Sequence, residues 1–147
     1  MDMELRYAFA VSEDHRLIDE DFGNADTFLI YGFKEGEMRL ISEEPNGFKH
    51  MKRKTEQEAR QKGDALIAYL RGKGVTTLVS KRYCKNIHRI NQYFIPVIVS
   101  PGQHPEVVRL LQKHAHWIQE EWESRGSGFH QFTIRSGILK SALPDPT

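Results

Sequence analysis

Two side chains with metal-ligand chemistry, Cys84 and His88, stand four residues apart in the segment SKRYCKNIHR, Ser80 to Arg89. On a helix that spacing puts both on one face. A thiolate and an imidazole so placed can supply two ligands to zinc or to an iron–sulfur species. Two ligands do not close a site, so further donors must come from elsewhere; His50, Asp21 and His15 are the candidates. The plain alternative is that Cys84 is a small, half-buried apolar residue and His88 a surface one. Lys81 and Arg82 precede the thiol at what reads as a strand-to-helix junction, a place that favours anions. Side-chain charge there can hold an anionic cluster or a phosphate.

Two further stretches carry chemistry. FKHMKRK, Phe48 to Lys54, is a basic run containing His50 and Met51. It reads either as a flap over an anionic ligand or as a solvated loop. Asp19, Glu20 and Asp21 form an acidic loop whose carboxylates suit a hard cation such as magnesium or calcium. The loop lacks EF-hand spacing, and its plain reading is a solvated turn that keeps a sheet edge soluble. His114 and His116 are two apart and diverge on a helix; His114 is expected to pack beside Leu111 and Trp117.

The elements that must position these groups follow from periodicity. Leu5 to Val11 reads as a strand buried on both faces, and Arg16 to Ile18 as a brief extended piece. In the acidic loop's exit, Gly23 and Asn24 permit a sharp turn into the strand Thr27 to Phe33. A glycine turn at 34–37 and a strand Met38 to Ser42 complete an antiparallel hairpin. Pro45-Asn46-Gly47 marks a turn in a polar connector, and Thr55 to Glu58 is a capping box. A helix follows, ending at Gly72 or Gly74. Val75 to Ser80 is a strand, and Tyr83 to Gln92 a short helix with Ile87 and Ile90 inward. Phe94 to Val99 is a buried strand in which Pro96 requires an edge or a strand start. A helix with one apolar stripe runs from Pro105 to about Glu123. Phe129 to Ile134 alternates as an extra edge strand, and residues 143–147 read as disordered. Strands first, then alternating helix and strand, indicate an α/β fold: a mixed sheet flanked by helices.

The stretch DEDFGNADTFLIY, Asp19 to Tyr31, carries a family resemblance. Phe22, Gly23, Ala25, Phe28, Ile30 and Tyr31 match the signature His-Phe-Gly-x-Ala-x-x-Phe-x-Ile-Tyr. The chain thereby resembles the dinitrogenase iron–molybdenum cofactor biosynthesis family, the NifX-like and NafY-like group. The resemblance implies a ribonuclease H-like mixed five-stranded sheet, with residues 1–124 as the family domain and 125–147 as a C-terminal extension. It implies a cytoplasmic, non-catalytic accessory protein that binds or carries an iron–sulfur or iron–molybdenum cluster. Lys81, Arg82, Asp21 and Gly23 would surround that cargo, with Cys84, His88 and His50 as metal ligands. The family's histidine position is Asp21 here, and its glycine-rich turn is replaced by Lys81-Arg82-Tyr83-Cys84. The partners implied are a metallocluster donor or acceptor protein and a second copy of the chain. The competing class is an interaction or regulatory module that kept the fold and lost the ligand.

Bulk properties narrow the classes. The chain has 147 residues, one domain by size. A net charge of +1 gives no general pull on nucleic acid or an anionic membrane. One cysteine precludes an intrachain disulfide, which fits a reducing compartment. The first fifteen residues lack the apolar run of a signal peptide, and no segment reaches a membrane span. A ribonuclease H-type nuclease needs a carboxylate cluster for two metals. Strand one, LRYAFAV, holds no acid, and no serine-hydrolase elbow, Walker loop or His-Glu-x-x-His pair occurs.

Overall fold

Small and large side chains alternate along β1 (Leu5–Val11), and that alternation organises the two faces of the sheet. Leu5, Tyr7, Phe9 and Val11 enter one apolar core; Ala8 and Ala10 enter the other. The alanines leave room on their face for Phe22, Phe28 and a helix to approach closely. The computed structural model describes residues 4–51, 54–83, 87–100, 104–124, 128–135 and 138–142. Cys84 lies outside these, as do Lys52, Arg53 and the tail 143–147; of His88 only the backbone is described.

β1 pairs antiparallel with β2 (Thr27–Lys34), which pairs antiparallel with β3 (Glu37–Pro45). Glu35 and Gly36 both take positive φ, 54° and 83°, as the tight hairpin requires. α1 (Glu56–Gly72) then crosses to β4 (Thr77–Ser80), which lies parallel to β1. The capping box forms at its start. Glu58 N–H donates to Thr55 Oγ1 at 3.1 Å, and Thr55 N–H donates to Glu58 Oε1 at 3.2 Å. After α2 (Ile87–Ile90), β5 (Ile95–Ser100) adds in parallel. α3 (His104–Lys113) and α4 (Ala115–Glu123) lead to β6 (Gln131–Arg135) and β7 (Ile138–Ala142). Val107, Leu111 and Ile118 of α3 and α4 cover the large-residue face, and Leu66 and Leu70 of α1 cover the alanine face.

The sheet is mixed, in the order β3-β2-β1-β4-β5-β6-β7. The expected five strands are β1 to β5, and β6 and β7 extend the sheet to seven. Phe129 to Ile134 does contain a strand, but β6 is not an edge: β7 pairs with it antiparallel and takes the edge itself. β3 runs on to Pro45, beyond the expected Ser42. The single helix expected from Pro105 to Glu123 divides at His114, whose backbone (φ −110°, ψ 23°) leaves the helical region. The described part of the helix expected from Tyr83 to Gln92 is only the short α2. Pro96 sits second in β5, where Ile95 N–H bonds Thr76 and the pairing with β6 begins only at Val97. Its missing N–H therefore faces the side of β5 that β6 has not yet reached, the strand start that proline requires.

Candidate functional site

Two loops leave the carboxyl ends of the adjacent parallel strands β1 and β4, and they meet. Asp21 and Arg82 form an isolated parallel bridge, and Phe22 N–H donates to the Arg82 carbonyl at 3.0 Å. The short 3-10 turn Phe22–Asn24 follows at once. Phe22 is buried, stacked on Phe28 at 5.0 Å and on Tyr83 at 5.9 Å. Each such ring pair adds roughly 1 kcal/mol beyond its burial. The Tyr83 hydroxyl lies 2.9 Å from the carbonyl oxygens of both Leu78 and Val97, to which it donates. Burial pushes this phenol well above its ordinary pKa, so it stays protonated and able to donate. The loop after β4 is thereby nailed to the sheet, and the Asp21 turn is nailed to the loop.

A second set of ties comes from the connector after β3. Asn46 Nδ2 donates to the carbonyls of Gly23 (3.0 Å) and Ala25 (2.9 Å), while Phe48 N–H donates to Asn46 Oδ1 (2.9 Å). Lys49 pairs with Asp26. Lys62 of α1 is only 5% exposed, and its Nζ donates to the Lys49 carbonyl at 3.1 Å and to Asn24 Oδ1 at 3.4 Å. The connector is thus strapped onto the turn through Asn46 of the Pro45-Asn46-Gly47 turn.

Beneath the turn, between α1 and the sheet, lies a cavity of about 420 Å³. Its walls are Leu66, Leu70, Leu78, Ile90 and Phe94; Asp21, Phe22 and Gly23 reach it from the turn. Charged groups on its lining are Glu56, Arg60, Lys62 and Arg89, the last paired with Asp64. Sequence reasoning missed this set. Its signal is the α1 stripe Ala59, Gly63, Leu66, Ile67, Leu70, in which two small residues continue an otherwise large apolar face.

Of the expected site residues, Asp21 and Gly23 line this cavity, and the backbone of Arg82 abuts Asp21. The Arg82 side chain is exposed. Lys81 donates to Asp19 at 2.9 Å, and that bond together with the lysine's charge holds the Asp19 carboxyl below its usual range. His50 is exposed in the connector, near Asp26, and does not line the cavity. His15 faces Glu43 at 3.3 Å and belongs to another part of the surface. His88 lies in α2 immediately before the lining residues Arg89 and Ile90. His114 stacks on Trp117 at 4.2 Å, as expected.

A sequence model described as dinitrogenase iron-molybdenum cofactor matches residues 3–114. The chain belongs to the dinitrogenase iron–molybdenum cofactor family. The match takes in both loops of the junction and ends at the helix break, so β6 and β7 lie beyond it. No curated protein matches this family member.

Among the described residues, the junction offers positive charge beside the signature turn. Arg82, Arg60 and Arg89 supply positive charge around the turn. Among the described residues no three His, Cys, Asp or Glu side chains gather as a metal site. The described carboxylate at the junction, Asp21, is a hard donor; Cys84 and the His88 side chain lie outside the described residues. No helix among the described residues is long and apolar enough to cross a membrane.

Proposed function

We propose that this chain is a non-catalytic accessory protein that carries an iron–sulfur or iron–molybdenum type cluster at the junction of the Asp21 turn and the loop after β4. The observation that carries the reading is the Asp21–Arg82 bridge, which joins the family's signature turn to the segment holding the chain's one thiol. Cys84 and His88 act as metal ligands, with His50 reaching in from the connector. Lys81 and Arg82 offset the cluster's negative charge, and Asp21 and Gly23 border it. The cluster is cargo, received from a donor protein and passed to an acceptor, in the cytoplasm. The family domain spans residues 1–124, and 125–147 is a C-terminal extension whose β6 and β7 continue the sheet.

A second reading, an interaction module that has lost its cargo, draws support from the Asp19–Lys81 pair. That pair neutralises one of the two cations the loop would offer an anion. Anaerobic reconstitution with iron, sulfide and molybdate separates the readings through the visible spectrum. Carriage gives sulfur-to-metal absorption bands that weaken in Cys84→Ala and in an Arg82→Glu variant. Spectra without such bands, in wild type and variants alike, would leave the interaction module.

A further inference from the structure

We propose that the chamber beneath α1 is a binding site for a small organic monoanion with an apolar body, of the aromatic or branched aliphatic carboxylate class. Asp21 and Gly23 border both places, but the inference uses neither Cys84 nor the Lys81–Arg82 pair on which cluster carriage rests. Protein interiors are close-packed, with few voids larger than one water. A chamber of about 420 Å³ lies instead within the range of small-molecule pockets. Leu66, Leu70, Leu78 and Phe94 are all buried residues that wall it, so a complementary ligand presents a hydrocarbon body.

Two glycines keep the chamber open. Gly63 stands in the interior of α1, where glycine costs helix stability relative to alanine, and it lines the cavity. Gly23 lines it from the turn; a Cβ there would make only ordinary contacts, with Leu66 at 3.8 Å and Lys62 at 3.9 Å. A larger side chain at either place would stand on the wall of the cavity that both glycines line.

The charged lining sets the head group. Arg60 has no hydrogen bond or ion pair among the described residues, and Lys62 brings an ammonium that is largely shielded from water. Arg89 is already matched by Asp64. A cationic ligand would meet three cations here. Asp21 and Glu56 share the lining, so a polyanion would meet repulsion while a single negative head is drawn to Arg60; Lys62, whose Nζ is held by the Lys49 carbonyl and Asn24, adds its charge without a direct contact.

The test titrates the metal-free full chain with anilinonaphthalene sulfonate, an aromatic body bearing one anionic group, and follows its fluorescence. One saturable site is expected, from which naphthoate displaces the probe at least about tenfold more effectively than uncharged naphthalenemethanol. Arg60→Glu should weaken binding by about tenfold or more. Gly63→Leu should abolish it while leaving the unfolding midpoint unchanged or raised, because leucine favours the helix. Ala59→Leu, on the same wall, carries the same expectation if Gly63→Leu folds poorly. Cys84→Ala should bind as wild type, which keeps this result separate from that of cluster carriage. Unsaturable fluorescence, equal displacement by the alcohol, or wild-type affinity in the folded filling variants would overturn the proposal.

Discussion

Phe22 and Arg82, on loops that leave different strands, are joined by a backbone hydrogen bond of 3.0 Å. That bond is the seam of the candidate site, and the Phe28–Phe22–Tyr83 stack lies against it. Phe22→Ala removes a ring that is only 2% exposed and leaves a hole between two others. A loss of about 3 kcal/mol or more is expected, read as a lower urea midpoint. The conservative Tyr83→Phe removes only the donor to Leu78 and Val97 and should cost about 1 kcal/mol. Equal costs for the two would contradict this division of roles.

Asn46 makes three hydrogen bonds that tie the connector to the turn. Asn46→Ala leaves two carbonyls and one N–H to find other partners. The expected cost is about 2 kcal/mol, given their partial burial. Amide hydrogen exchange should speed up at residues 22–26 and 46–51 and stay unchanged in β4 and β5. A uniform increase across the sheet would mean that the tie supports the whole fold rather than the site.

His114 supplies a pH dependence. Burial pushes its imidazole below its ordinary value, with the charges of Lys113 and His116 acting in the same direction, and its Nδ1 is buried without a hydrogen-bond partner among the described residues. The unfolded chain therefore takes up this proton first as the pH falls. The stability tied to neutral His114 is fully present above about pH 6.5 and declines as the pH drops through the folded-state value. The urea midpoint should fall on acidification through this range, and His114→Gln should flatten that slope. An unchanged slope in the variant would assign the effect elsewhere. Asp19, Asp26 and Glu44, held low chiefly by Lys81, Lys49 and Tyr69 respectively, act in a separate, more acidic window. Their contribution is present above the ordinary carboxylate range, about pH 4, and is lost below it.

Thr55 tests the start of α1, the wall of the chamber. Thr55→Ala breaks the capping box and should cost about 1 kcal/mol, whereas Thr55→Ser should be nearly neutral. Circular dichroism with urea denaturation measures both. A neutral alanine variant would mean that packing alone fixes the helix start.

Local signals carried most of the fold. The capping box at Thr55, the glycine hairpin at Gly36, the buried strand Leu5–Val11 and the strand-start proline are each written in a few adjacent residues. β7 was not legible, because ILKSA has only two strong apolar residues and owes its strand state to pairing with β6. The break at His114 was hidden for a similar reason. No glycine or proline marks it, and the apolar stripe continues across it from Leu111 to Ile118. The meeting of Asp21 with Arg82 follows from β1 and β4 being parallel neighbours, a fact of topology that neither loop encodes alone. The chamber depends on how far α1 stands from Leu78 and Phe94, a distance set by the whole alanine face.

Metal content per chain tests cluster carriage most directly. The wild type is reconstituted anaerobically with iron, sulfide and molybdate, freed of unbound metal by gel filtration, and analysed for metal and sulfide beside a Cys84→Ser, His88→Ala double variant. Carriage predicts a reproducible, cluster-sized complement of metal and sulfide on the wild type and its loss from the equally folded variant. Equal metal on both proteins, or none on either, would contradict it.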